Sequence, residues 1–303
     1  MGEEKRVKPQ RPNLIKTKTS PTNNNGSVEI PRDPVEFEKV FGFNPTETNV
    51  LVCTPCYGGL LYANYMHSVF QMFNLFNYSG IKYGYKTITN ESLITRARMT
   101  CISYFLSHPE YTHILFIDAD VSFRADTAIK LLAAKKDVIS AVYPKKGYEW
   151  GRLPELIKKS IQGGKLNLDS FKNVQSQLLS YVVNFNDTKL KVEKGCIKVK
   201  DAPTGFMLIA KSTIETLIEK NPDMGYVSDL GLDENDHKPG TFWLFFDCMR
   251  DPVDRRYLSE DYAFCRLVQL AGLETWIEVT SPLTHTGTTS FEGNVWDMFE
   301  IEK

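Results

Sequence analysis

Four short stretches of this 303-residue sequence carry side chains whose types and spacing suit chemistry. The first is HILFIDADVSF, His113 to Phe123. An apolar run, Ile114 to Ile117, ends in two carboxylates, Asp118 and Asp120, one alanine apart. Such a pair concentrates negative charge and asks for a positive partner. Carboxylate oxygens are hard ligands that suit magnesium or manganese. The two aspartates are expected to have different tasks, one touching a metal ion and the other orienting a ligand hydroxyl. Alone, an Asp-x-Asp also reads as a polar turn capping the next helix, with Ser122 or Asp126 helping. The second stretch is SEDYAFCRLVQLAG. Glu260 and Asp261 fall in the first turn of a helix, where the dipole favours negative charge. Either one could also serve as a general base facing a substrate hydroxyl. The third is PLTHTG, where the imidazole of His285 can complete a manganese site begun by carboxylates. The fourth is ITRARM. The guanidinium forks of Arg96 and Arg98 suit phosphate oxygens, or else form a solvated helix face.

These residues need elements to position them. From Thr48 the sequence alternates strand and helix patterns. NVLVCTP reads as a buried strand, the run to Gly80 as a helix, IKYGYKTIT as a strand, and ESLITRARMTCISYFLSH as a helix with Pro109 past its end. HILFID is a third strand, ADTAIKLLAAKK a helix and DVISAVYP a fourth strand. Alternation of this kind implies an α/β fold with a mostly parallel central sheet flanked by helices. Ligands of open parallel sheets bind beyond the carboxyl ends of the strands, where Asp118 and Asp120 stand. After Pro144 the pattern changes. Residues 147–165 read as irregular. SQLLSYVVNF and KLKVEKGCIKVK read as antiparallel strands, PTGFMLIAK as a strand leading into a helix, and TFWLFFDCMRD as an aromatic strand. Residues 221–240 form a polar loop long enough to act as a lid. Ser259 is the expected cap of the SEDYAFCRLVQLAG helix, and ETWIEV the last strand.

Composition narrows the class. Hydrophobic residues at 42% and charged residues at 24% are ordinary for a globular protein. The net charge of −1 argues against a dedicated nucleic-acid binder. Residues 1–28 hold six Lys or Arg against Glu3 and Glu4, so that tail is +4 and the remainder −5. Residues 1–30 are polar and without periodicity, and are expected to be disordered. Residues 31–303 are expected to form one catalytic domain, with 48–145 as a nucleotide-binding half and 146–293 as an acceptor-binding half. No apolar run long enough to span a membrane and no signal-peptide core is present, which points to a cytoplasmic protein. The six scattered cysteines suit free thiols.

In their order along the chain, TPCYGG, SLITRARM, LFIDADVSF, TGFMLIAK, SEDYAFCRL and THTG resemble a nucleotide-sugar-dependent glycosyltransferase of the GT-A fold, the Asp-x-Asp type. The resemblance covers about residues 49–293. It implies a Rossmann-like sheet with a smaller antiparallel region on the acceptor side. It implies that Asp120 binds Mn2+ or Mg2+, that Asp118 touches the ribose or the metal, and that His285 is the third protein ligand. Thr54, Pro55 and Tyr57 would line the base, and Arg98 would hold the base, ribose or diphosphate, with Arg96 beside it. Asp261 would be the base of an inverting transfer, with Glu260 as its alternative. A UDP-sugar is the favoured donor and a GDP-sugar the second. The acceptor is a glycan or other hydroxyl.

Three further readings are weighed against this one. Trp243, Phe245 and Phe246 read as core, but an exposed Trp243 would stack on an acceptor sugar, with Asp247 or Asp251 on its hydroxyls. Cys53 and Cys56, in CTPC between a strand and a helix, fit a thiol redox pair. A nucleotide-sugar-binding protein without turnover would keep the same site.

Overall fold

A computed structural model describes residues 13–15, 29–162, 174–185 and 189–301. The strands are β1 (Asn13–Ile15), β2 (Asn49–Cys56), β3 (Lys82–Thr89), β4 (His113–Ile117), β5 (Val121–Phe123), β6 (Val138–Ala141), β7 (Pro144–Tyr148), β8 (Leu179–Tyr181), β9 (Lys189–Lys191), β10 (Cys196–Lys198), β11 (Phe206–Ala210), β12 (Met249–Arg250), β13 (Tyr257–Leu258), β14 (Thr275–Glu278), β15 (Leu283–Thr286), β16 (Ser290–Gly293) and β17 (Glu300–Ile301). The helices used below are α1 (Pro34–Phe41), α2 (Ala63–Ser79), α3 (Ile94–Ser107), α4 (Thr127–Ala134), α5 (Leu153–Gln162), α6 (Lys211–Lys220) and α7 (Glu260–Leu270).

Seven strands form the central sheet in the order β10-β14-β6-β11-β4-β2-β3. β3, β2, β4, β6 and β14 run one way. β11 lies antiparallel between β4 and β6, and β10 is antiparallel on the far edge. The fold is therefore α/β with a mostly parallel sheet, as its alternating pattern predicts. The small antiparallel sheets are β16-β15-β5, β7-β8 and β12-β13.

Two cores explain why the central strands read as unbroken apolar runs. Leu51 and Cys53, Ile114 and Phe116, and Met207 and Ile209 face a core shared with α3, α6 and α7. Val50 and Val52, Leu115 and Ile117, and Phe206 and Leu208 face the other, shared with α1, α2 and α4. Each successive residue changes face, and both faces are covered. α2 ends where Gly80 adopts φ 79, a left-handed cap that suits glycine.

Three expectations need correcting. Residues 147–165 are not wholly irregular, because Leu153–Gln162 is the helix α5, begun by Pro154 with Glu155 in its first turn. The stretch from Thr241 to Asp247 is not a strand. Its link to neighbouring chain is a single bridge between Gly225 and Trp243, with no ladder on either side among the described residues, and Phe245 and Phe246 are both buried. Within the segment expected to be disordered, Asn13–Ile15 pairs in parallel with β9 and β17, and the rest of residues 1–28 lies outside the described residues. Among the described residues no helix is long and apolar enough to cross a membrane.

Phe246 fastens the long insertion to the sheet. Its ring stacks on Phe264 at 4.4 Å and meets Phe116 edge-on at 5.3 Å. Phe246→Ala is expected to lower unfolding free energy by about 3–5 kcal/mol in urea titrations, the usual cost of an emptied aromatic site. A loss within about 0.5 kcal/mol, typical of surface positions, would contradict this packing.

Candidate active site at the carboxyl end of the sheet

The end of β4 is built by its neighbours. The Asp118 amide donates to the Gly205 carbonyl at 3.0 Å, and the Val121 amide donates back to the Asp118 carbonyl at 3.0 Å. Tyr62 N–H reaches the Ala119 carbonyl at 3.1 Å, and Thr286 N–H the Asp120 carbonyl at 2.9 Å. The Asp-Ala-Asp backbone is thus held from three directions, and β15, paired with β5, brings His285 opposite Val121.

The two aspartates face different partners because the backbone turns between β4 and β5 instead of running on extended. Asp118 Oδ1 accepts from Arg98 Nη2 at 3.0 Å, and Arg98 Nε lies 3.7 Å from Glu260 Oε1. Arg98 is 2% exposed. It sits in the buried stripe of α3 with Ala97, Cys101, Ile102 and Phe105, and its guanidinium lies 5.4 Å from the centre of the Phe116 ring. Burial alone weakens its charged form, but Asp118 and Glu260 outweigh that effect and raise its pKa. Burial pushes the Glu260 carboxyl up, against the pull of Arg98 and with a further push from Asp261. Asp261 Oδ1 accepts from the hydroxyl of Ser259 and from Tyr262 N–H. Ser259 stands at the cap position of α7, but its hydroxyl serves Asp261 and makes no side-chain cap bond.

Asp120 belongs to a second group. Its Oδ2 accepts from Lys146 Nζ at 2.6 Å, and its Oδ1 lies 3.4 Å from His285 Nε2. Burial raises its pKa, but His285 and Lys146 more than offset this and hold it below the ordinary carboxylate value. His285 Nδ1 is 2.9 Å from the Pro144 carbonyl, so Nδ1 carries the proton and Nε2 faces the carboxylate. Tyr143 meets the imidazole edge-on at 4.8 Å and accepts from Gly205 N–H at 3.3 Å.

Asp120 Oδ1 and His285 Nε2 stand 3.4 Å apart, close enough for one cation to be shared between them. An oxygen and a nitrogen donor suit Mn2+, and Mg2+ is commonly held by one or two protein ligands with substrate phosphate and water. Asp120 and His285 fit such an ion as a pair. Asp118, turned to Arg98, does not join them, and among the described residues no three His, Cys, Asp or Glu side chains gather as a cage.

The remaining expected residues fall in several places. Thr54 is fully buried and its hydroxyl is bonded to that of Tyr65, so it backs the strand end. Tyr57, 77% exposed, stands on the surface beside Pro55. Arg96 is clamped by both oxygens of Glu91, at 2.6 and 2.9 Å, so its fork is already occupied. Trp243 stacks on Phe245 and borders Gly225, which makes it a packing residue. Asp247 is exposed and accepts from Cys248 N–H. Asp251 is buried, capping Val253 N–H and pairing with Arg266. Cys53 and Cys56 are buried thiols, and burial pushes Cys56 up to about 11, the reverse of a reactive redox thiol. The expected lid is pinned at its C-terminal part, where Asp236 pairs with Lys86 at 2.7 Å and Lys238 N–H donates to Ser107 at 2.8 Å. Lys146 and Tyr143 were not foreseen. Their signal is the sequence VYPKK just past β6, the carboxyl end of another parallel strand.

Arg98 neutralises two carboxylates, so its removal is expected to show in the pH dependence of stability. A carboxyl raised above its unfolded value loses stability as pH rises from the ordinary carboxylate range through the folded pKa. Arg98→Met raises Glu260 further and leaves Asp118 unpaired. Chemical denaturation is expected to show a loss of about 3–5 kcal/mol at pH 7 that shrinks at pH 5. An equal loss at both values would separate Arg98 from these carboxylates.

No family model and no curated relative matches the chain. Among solved structures it is similar to one described as the crystal structure of A197 from STIV, at 15% identity, TM-score 0.43, over 79% of this chain and 86% of that one. A UDP-glucose pyrophosphorylase complexed with UDP-glucose is similar at 9% identity, TM-score 0.34, over 76% of this chain and 89% of that one.

Proposed function

We propose that this protein is a metal-dependent glycosyltransferase moving a sugar from a nucleoside-diphosphate sugar to a hydroxyl acceptor with inversion. The supporting observation is one convergence at the carboxyl ends of parallel strands. Asp120 faces an imidazole ready to share a cation, and a second acidic pair, Glu260 and Asp261, stands at a helix N-terminus, linked to Asp118 through buried Arg98.

In this reading Asp120 and His285 hold Mn2+ or Mg2+, which when bound stabilises charge on the leaving diphosphate. Lys146 adds a positive charge beside the same carboxylate. Asp118, oriented by Arg98, receives the donor ribose, and Pro55 and Tyr57 flank the base. Asp261 takes the proton of the acceptor hydroxyl as that oxygen attacks the anomeric carbon. Asp261 Oδ1 is held by the Ser259 hydroxyl and by Tyr262 N–H, whereas the Glu260 carboxylate is turned to the buried Arg98. In this reading Asp261 is the base and Glu260 its partner. Asp247 is the exposed carboxylate available to acceptor hydroxyls. A UDP-sugar is the first donor to try and a GDP-sugar the second.

The ammonium of Lys146 on Asp120 favours one second reading, a nucleotide-sugar-binding protein without turnover, because a built-in cation can replace a metal ion. A nucleotide-release screen over a panel of sugar nucleotides with Mn2+ separates the two. Turnover with at least one donor is expected, and UDP binding unchanged by metal with no release across the panel would favour the binding protein.

Asp261→Asn is expected to lower turnover roughly 10²–10⁴-fold, the usual share of a general base, with UDP affinity unchanged by calorimetry. Glu260→Gln belongs beside it. Near-normal turnover in both variants would remove α7 from the mechanism.

A further inference from the structure

A groove of about 790 Å³ opens away from the Asp118–Asp120 site, and none of the residues of that site lines it. It lies among the C-terminal ends of α1 and α4 and the turn before β10. Five lysines border it, Lys39, Lys130, Lys135, Lys136 and Lys194, against Glu193 and Glu278. Both glutamates are already engaged, Glu193 by Lys191 at 3.0 Å and Glu278 by the amides of Thr280 and Ser281. Lys130 reaches Asp126, and the Lys136 ammonium lies 3.4 Å from the centre of the Trp276 ring. Among the described residues Lys39, Lys135 and Lys194 make no ion pair.

The backbone beneath two of these lysines is unusual. Lys135 and Lys194 have φ of 50 and 49, in the left-handed region that L-residues avoid. Lys135 caps α4, whereas α1 and α2 end in the same conformation with Gly42 and Gly80. Lys194 is the first central residue of the two-residue turn between Glu193 and Cys196, followed by Gly195 at φ 80. Asn-Gly is the favoured pair for such a turn. At two positions on one groove, the residue the backbone prefers is replaced by a lysine with no ion-pair partner. Helix dipoles account for a cation near Lys39 and Lys135, but Lys194 stands on a hairpin. Of four non-glycine residues with positive φ among the described residues, Asn90, Lys135, Lys194 and Arg255, two border this one groove, and backbone of this kind is retained where function requires it.

We propose that this groove binds a phosphorylated small molecule, with Lys39, Lys135 and Lys194 taking its phosphate oxygens. The volume is that of a small-ligand pocket, and three ammonium groups without an ion pair among the described residues complement clustered phosphate charge. Phe41 and Ala133 supply apolar wall for the rest of the ligand.

The test uses inorganic tripolyphosphate as probe, with the full chain and EDTA, followed by amide NMR shifts and calorimetry. Saturable binding is expected, with shifts centred on Gly42 and Gly195. The double variant Lys135→Gly, Lys194→Gly is expected to bind about tenfold or more weakly, from the loss of two charged contacts. It should melt no lower than the parent, because glycine suits both positions. Lys146→Ala should bind like the parent. Undiminished binding by the double glycine variant, loss in Lys146→Ala, or no saturable binding by the full chain would each overturn the proposal.

Discussion

The candidate site depends on one buried charge. A guanidinium cannot be left unpaired in an apolar interior, and Arg98 is enclosed by α3, the Phe116 ring and two carboxylates. Asp118 comes from the end of β4 and Glu260 from the start of α7, so the pairing constrains three elements separated widely in sequence. The same pairing lets two carboxylates approach each other. Without that cation, Asp118, Glu260 and Asp261 would repel one another at the mouth of the sheet.

A second charge balance stands beside the first. Asp120 is answered by Lys146 and His285. The protein thus divides three carboxylates, Asp118, Glu260 and Asp120, between two environments. One is a fixed guanidinium at 2% exposure, and the other combines a lysine on a flexible stem with an imidazole. The fixed environment is suited to positioning. The adaptable one is suited to exchanging its cation, since an ammonium on a four-carbon stem can withdraw from a carboxylate and an arginine locked in a helix stripe cannot. This asymmetry supports the proposed division of roles, cation binding at Asp120 and orientation at Asp118.

Much of this was legible in the sequence because its signals were periodic. Apolar runs such as Ile114 to Ile117 require cover on both faces, which fixed the α/β class and put the Asp-x-Asp at a strand end. Less was legible where neighbours decide the outcome. Arg96 and Arg98 read alike, but two residues of helix turn a side chain by roughly 200°, so one enters the core and the other is clamped by Glu91 nearer the surface. Thr54 follows Val50 and Val52 on the α2 face and so meets Tyr65. The aromatic run around Phe245 has the composition of a strand but forms only an isolated bridge at Trp243. Lys146 follows Pro144, where regular alternation stops, and only pairing with β8 and the proximity of β15 bring it to Asp120.

The central claim is that Asp120 and His285 take a divalent cation together with a nucleoside diphosphate. Paramagnetic broadening of amide NMR signals by Mn2+, recorded with and without UDP, measures it directly. The account predicts that broadening centres on Asp120, Val121, His285 and Thr286 and becomes stronger at lower Mn2+ when UDP is present. Broadening centred elsewhere, or none above that of free Mn2+ in solution, would contradict it.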